Sequence, residues 1–306
     1  MKSITVFTPT FNRAHTLQRA FNSLLQQTSK DFEWLIIDDG STDGTKELVE
    51  SFSENADFNI RYFWKENGGR HTAVNYSYQY LRTPYVVTLD SDDELLPDAI
   101  ELMLQAWKSI PDSEYDRFWC VSGRDVDAES RKLVGKPYPK NINSLSGKAQ
   151  RKVILKCSGE KHCCRKVNIH TQYKFPEYSD TKFVQEDTVW EKINRKYDQY
   201  CVNDVYGLYH TESEDSLANG KVHSSSHYKT FYYFALFYIN ELFDEFFINK
   251  RVRIYTINVS RCAILTKTPY NEVMHSINKW YKRAIVTCGY GISWIWILIK
   301  HEKEKQ

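Results

Sequence analysis

The sequence predicts an α/β fold, a mostly parallel sheet flanked by helices, with a helical appendage at the C-terminus. Strand-like and helix-like runs alternate four times in about the first 100 residues, the pattern of βαβ units. Polar clusters stand where the predicted strands end, the side on which such sheets bind ligands. The last third is crowded with aromatic residues at helical spacing. A chain of 306 residues can bury one large domain plus an appendage, here divided as 1–222 and 223–306.

Each element has its own signal. Ile4 to Thr8 is a β-type run closed by Pro9 and the turn-prone Asn12-Arg13. From Thr16 to Gln27, Leu17, Ala20, Phe21, Leu24 and Leu25 recur at helical spacing. Phe32 to Ile37 forms a second strand, ending in Asp38-Asp39-Gly40-Ser41-Thr42-Asp43-Gly44, with a helix from Thr45 to Phe52. Ile60 to Trp64 is the third strand, followed by Asn67-Gly68-Gly69-Arg70-His71 and a helix through Tyr80. Tyr85 to Leu89 is the fourth, ending in Asp90-Ser91-Asp92-Asp93 before a helix near Pro97. Farther on the pattern gives a strand at Phe118–Val121, a loop or insertion over 115–160, and a helix near 181–197. Short strands at Tyr200–Val202 and Val205–His210 follow, then an aromatic helix from Tyr228 to Phe247.

Composition narrows the function. With 41 basic and 39 acidic residues the net charge is +2, which argues against a protein whose main partner is nucleic acid. Met1-Lys2-Ser3 runs directly into a strand, without a signal peptide. Seven cysteines without framework spacing suit reduced thiols. The expected location is cytoplasmic, at the inner face of the plasma membrane.

Three carboxylates within four positions repel one another, so the Asp90–Asp93 cluster points to a cation. In an extended segment Asp90 and Asp92 face the same way, and hard carboxylate oxygens suit Mg²⁺ or Mn²⁺ holding substrate phosphates. A solvated acidic turn would account for the same residues. Asp38-Asp39 reads either as a turn capping the next helix or as an acceptor for a nucleotide. The chain has no G-x-G-x-x-G and no P-loop sequence, which disfavours a nicotinamide enzyme or a P-loop ATPase.

Taken in order, Val6-Phe7-Thr8-Pro9-Thr10-Phe11-Asn12-Arg13, Ile36-Ile37-Asp38-Asp39-Gly40-Ser41-Thr42-Asp43, Asn67-Gly68-Gly69, Leu89-Asp90-Ser91-Asp92-Asp93 and Gln185-Glu186-Asp187 resemble family 2 glycosyltransferases over about residues 1–215. The resemblance implies a Rossmann-like GT-A fold, Mn²⁺ or Mg²⁺, a nucleoside-diphosphate sugar donor (a UDP-sugar foremost) and transfer of a hexosyl or N-acetylhexosaminyl group with inversion. It implies that Thr8 and Pro9 line the nucleotide and that Asp39, beside Asp38, meets the base. Asn67 and Arg70 would complete the donor site. Asp92 would ligate the metal, Asp90 would meet ribose or the metal, and His210 would stand near the ion. Asp187 would be the general base, with Glu186 beside it. The acceptor would be a glycan or lipid-linked saccharide of a bacterial surface polysaccharide. A nucleotidyltransferase on the same fold, or a membrane-associated binding protein without catalysis, are the alternatives.

Other signals are weaker. Arg70 and His71 would touch the pyrophosphate or simply open a helix, and Lys221 and His223 fall in a stretch that would close over the donor. Cys157, His162, Cys163 and Cys164 match no zinc spacing. Ala284 to Ile299 is an apolar stretch shorter than the roughly 20 residues a membrane span needs. Trp294, Trp296 and the flanking Lys/Arg suit a segment lying at a bilayer surface, and a packed helix or homo-oligomer interface would also bury it.

Overall fold

The computed structural model describes residues 2–140, 142–144, 152–153, 156–157, 159–210, 225–246 and 250–303. The expected closing stretch with Lys221 and His223, and the division at 222/223, lie outside the described residues. The chain falls into two compact units, Met1–Phe175 with Val189–Asn219 and Pro176–Thr188 with Gly220–Gln306.

In the first unit the alternation read from the sequence holds. β1 (Ile4–Thr10), α1 (Ala14–Leu25), β2 (Phe32–Asp38), α2 (Thr45–Asn55), β3 (Ile60–Trp64), α3 (Arg70–Ser77) and β4 (Tyr85–Thr88) follow one another. β1 pairs in parallel with β2 and β4, and β2 with β3. β1 is buried along its whole length and β2 nearly so, which is why both read as near-continuous apolar runs. α1 turns Leu17, Ala20, Phe21 and Leu24 inward, and the Phe21 ring stacks on Phe52 with centroids 4.1 Å apart.

The second half of the sheet is mixed. β5 (Glu94–Leu95), α4 (Ala99–Lys108), α5 (Asp112–Tyr115), β6 (Phe118–Asp127), β7 (Cys163–Lys166), α6 (Val167–His170), α7 (Asp187–Asn194) and β8 (Asp198–Tyr209) follow, the first two residues of α7, Asp187 and Thr188, falling in the second unit. Among the described residues the eight strands lie in the order β3-β2-β1-β4-β7-β6-β8-β5. β7 runs antiparallel to β4 and β6, and β5 antiparallel to β8.

Three readings change. The strands expected at Tyr200–Val202 and Val205–His210 are one, β8. Its exposed Asn203 and Asp204 break the apolar pattern at register shifts against β6. The helix expected over 181–197 spans only Asp187–Asn194. β7 was not foreseen, because Cys-Cys-Arg-Lys lacks a strand's composition. Its charges are buried with partners: Arg165 donates to Thr88 Oγ1 and Lys166 to the Tyr115 carbonyl at 2.6 Å. Adjacent residues of a strand face opposite ways, so Cys163 lies by Ser122 and Cys164 in the main core. All seven cysteines are free thiols.

Gly123 in β6 marks where Tyr206 of β8 crosses, since a Cβ there would stand 2.3 Å from the buried Tyr206 ring. Gly123→Ala is expected to destabilise the protein by about 3 kcal/mol through overpacking, read as a lower denaturant midpoint with an unchanged m-value.

The second unit is helical: α8 (Ser225–Phe237), a π-helical turn (Tyr238–Leu242), α9 (Phe243–Phe246), α10 (Lys250–Leu265), α11 (Tyr270–Ser276) and α12 (Trp280–Lys303). Tyr232, Ala235, Ile239, Val259, Ala263, Val273, Ile277 and Val286 form its core. A π-turn loosens the helical ladder, and here the buried Lys282 ammonium donates to the Ile239 and Asn240 carbonyls at 2.9 and 3.1 Å.

Candidate active site

The loops that follow β1, β2, β3 and β4 are stitched to one another at the carboxyl ends of those strands. Asn12, in the left-handed region at φ 52°, receives the Thr42 N–H on Oδ1 at 2.9 Å, and its own N–H donates to Ser41 Oγ at 2.8 Å. Gly40 has φ +90°, and a Cβ on it would meet the Asn67 nitrogen at 2.8 Å. Glycine therefore lets the second loop approach the third.

Asp39 is the fixed point between those loops. Its buried carboxylate accepts from Lys65 Nζ at 2.5 Å and the Gly68 N–H at 3.0 Å on one oxygen. The other accepts from the Gly69 N–H at 2.6 Å and Asn67 Nδ2 at 3.3 Å. Asn67 Nδ2 also donates to the Asp39 carbonyl at 2.8 Å. Asp38 is engaged by two donors, accepting the Ser41 N–H at 2.7 Å and the Tyr62 hydroxyl at 2.6 Å. Burial, then the Asp38 hydrogen bond, push the Tyr62 phenol far above its ordinary value.

The loop that Asp39 holds delivers Arg70, whose Nη2 lies 2.7 Å from Asp90 Oδ1. Burial works to raise the Asp90 carboxyl, but the Arg70 charge and hydrogen bond, with His162 and Arg165, override it and hold the group below the usual carboxylate range. Asp93 moves the other way. Burial first, then the Asp90 charge, raise it to about 8, although the His210 N–H donates to its Oδ1 at 2.9 Å. Arg19 from α1 donates to the Asp92 carbonyl at 3.0 Å. β5 pairs with β8 through Glu94 and Leu208, and this carries His210 to the acidic segment, its Nε2 2.8 Å from Glu94 Oε1.

Asp38, Asp39, Asn67, Arg70, Asp90 and His210 therefore belong to one connected set of loops. Thr8 does not offer its side chain to that set: it is fully buried, and its hydroxyl accepts the Trp34 indole N–H at 2.9 Å. Pro9 is likewise buried within β1. Asp187 opens α7, where the helix dipole favours a carboxylate, directly after Glu186.

Sequence reasoning missed His162. Its Nδ1 lies 2.6 Å from Asp125 Oδ1, the carboxylate buried and the ring nearly so. Burial opposes a charge on the ring, but Asp125, helped by Asp93 and Asp90, raises its pKa to about 9. A His-Asp pair 37 residues apart leaves no local signal. With Arg70 it sets positive charge around the acidic cluster.

The donor chemistry suits a hard divalent ion. Asp90 and Asp92 supply carboxylate oxygens, and with Asp93 they place three carboxylates within four positions, negative charge that a cation would relieve. Among the described residues no three metal-binding side chains already converge. Mg²⁺ and Mn²⁺ do not need such a cage when substrate phosphates and water complete their shell.

The chain is similar to known proteins in sequence and in fold. The model of the family described as Glycosyl transferase family 2 matches residues 5–160. Over 224 residues the chain is 27% identical to the GalNAc(5)-diNAcBac-PP-undecaprenol beta-1,3-glucosyltransferase of Campylobacter jejuni, covering 72% of this chain and 68% of that protein. Over 102 residues it is 39–42% identical to four longer proteins, of whose lengths it spans only 10–17%. Among solved structures, Staphylococcus aureus TarS 1–349 in complex with UDP-GlcNAc aligns with a TM-score of 0.59 at 17% identity, over 95% of this chain and 89% of that one. A mannosyltransferase of Pyrobaculum calidifontis in complex with GDP-Man and Mn²⁺ aligns at 0.52 and 14% identity, over 96% and 81%.

Proposed function

The chain belongs to glycosyl transferase family 2 and is a glycosyltransferase of GT-A fold, and we propose that it moves a sugar, with inversion, from a nucleoside diphosphate to a hydroxyl of a lipid-linked saccharide in surface-polysaccharide synthesis. The observation that carries the donor half is the linkage Asp39–loop–Arg70–Asp90, which holds one guanidinium against the Asp90 carboxylate that opens the acidic segment. The solved complexes of TarS with UDP-GlcNAc and of the mannosyltransferase with GDP-Man and Mn²⁺ support a nucleotide sugar and a divalent ion. The name of the Campylobacter relative supports the lipid-linked acceptor. In this reading residues 1–222 form the catalytic domain and 223–306 an appendage to it.

Asp90 and Asp92 would hold Mn²⁺ or Mg²⁺, which when bound neutralises charge developing on the departing diphosphate. Arg70, held beside Asp90, would meet the same phosphates with its positive charge. The His210 backbone fastens Asp93, keeping the acidic loop in place. Asp187 takes the proton of the acceptor hydroxyl as that oxygen attacks the anomeric carbon, since a neutral hydroxyl is a poor nucleophile. Single displacement needs one base and no covalent nucleophile.

Titration calorimetry with UDP, GDP and dTDP, each with and without Mn²⁺, tests the donor half. One of the three, UDP foremost, is expected to bind, and to bind much more tightly with the ion. Absence of binding by all three in both conditions would remove the reading.

A further inference from the structure

The helix α12 is turned inside out. At 100° per residue, Lys282, Val286, Gly289 and Ser293 form one stripe, and all four are buried. This stripe thus sets a lysine, a glycine and a serine beside Val286, with Tyr290 half-buried against the same core. Gly289 lies so close to α10 that a Cβ would stand 2.9 Å from Ser260 Oγ, and Ser260 and Ser293 share a hydrogen bond at 3.1 Å. The large apolar residues face outward: Trp280 is 78% exposed, Ile292 54%, Trp294 53% and Ile295 61%. Ala284, Thr287, Cys288 and Gly291, also exposed, fill the surface between them, and no charged residue occurs from Ala284 to Ile299. Ile254 and Ile257 of the adjoining α10 are exposed as well. Water favours the opposite arrangement. Small residues at a helix contact and large ones outward is the packing of helices whose solvent is lipid.

Charge identifies the occupant. Residues 250–306 hold eleven Lys and Arg against three Asp and Glu, a net +8 in a chain whose total is +2. The first 249 residues consequently carry −6. A second copy seated on this face through a two-fold axis would bring two such positively charged segments together, whereas an anionic leaflet complements them. No helix among the described residues is long and apolar enough to cross a membrane. From Trp280 to Ile295 the outward stripe is about 22 Å long at 1.5 Å per residue, with a tryptophan near each end, where their amphipathic rings suit the headgroup level.

We propose that α12, with the exposed isoleucines of α10, lies flat in the headgroup region of an anionic bilayer. The inference is independent of the catalytic reading and would stand if that reading failed.

Flotation of the full chain with vesicles tests it, comparing phosphatidylcholine alone with mixtures containing phosphatidylglycerol. Binding to the anionic vesicles is expected, weaker as salt rises, and about tenfold lower in Ile292→Glu/Ile295→Glu, whose exposed positions leave the fold intact by circular dichroism. Trp280→Ala/Trp294→Ala is expected to weaken it as well. Wild type that stays with the protein fraction, or a double-glutamate variant that floats equally, overturns the proposal. So does a sedimentation-velocity dimer that the same variant dissolves while no vesicle is bound, which would make the face an interface between copies.

Discussion

Asp187→Asn is expected to lower kcat for transfer by about 10²–10⁴-fold, the usual range for a positioned general base, with nucleotide affinity unchanged. The amide is the same size as the carboxylate but cannot take a proton, so only the step in which the acceptor hydroxyl ionises should suffer. Stability should hardly move. Asp187 is the first residue of α7, where a carboxylate is favoured by about 0.3–1 kcal/mol through the helix dipole. The turn that presents it is kept by Thr188, whose N–H and hydroxyl both donate to the Gln185 carbonyl, at 3.1 and 2.7 Å. Glu186→Gln serves as the comparison and should lose much less. The decisive pattern is a large fall in kcat beside an intact calorimetric titration with nucleotide. Full transfer by Asp187→Asn would remove the residue as base, and lost nucleotide binding would give it a structural role instead.

What was legible in the sequence is what local pattern encodes. The first four strands announce themselves by apolar runs, and their ends by Asp, Asn and Gly, so the loops that build the site could be named in advance. The burial of Thr8 was not foreseen, since the resemblance put it at the nucleotide, although a period of two sets it on the same face as Ile4 and Val6, both in the core. The rest depends on pairs far apart in the chain. His162 finds Asp125, His210 finds Glu94 at a separation of 116 residues, and Arg19 reaches Asp92 across 73. β7 is a strand because its neighbours supply acceptors and ring faces for Arg165 and Lys166, with the Lys166 ammonium 3.3 Å from the Tyr115 ring centroid. For α12 the apolar stretch was plain, but which side of it faces outward is decided by Gly289 and Ser293 meeting α10.

Replacing Asp39 is expected to give the largest loss of stability among the site residues and to weaken the donor site with it. The resemblance assigns Asp39 to the base, yet its two oxygens, with about four lone-pair positions between them, already face five donors: Lys65 Nζ, the Gly68 and Gly69 N–H groups, Asn67 Nδ2 and, at 3.5 Å, the Thr72 hydroxyl. Asp39→Ala would leave the Lys65 ammonium and two backbone donors without their acceptor. Removing one member of a largely buried ion pair costs about 3 kcal/mol, which for a protein of this size lowers Tm by about 5 °C. Asp39→Asn separates charge from shape. It fills the same space, but its amide NH₂ would point at donors whichever way it is turned, so it should recover little of the loss. The loop from Lys65 to Thr72 would then no longer hold Arg70 against Asp90, and calorimetry should show weakened nucleotide binding at temperatures where the variant is still folded. Lys65→Met gives the control, because it removes the ammonium and leaves the Gly68 and Gly69 donors in place. Its nucleotide binding should stay close to wild type if the backbone bonds carry the loop. An Asp39→Asn protein with wild-type melting and wild-type nucleotide affinity would show that the carboxylate neither organises the loop nor serves the donor.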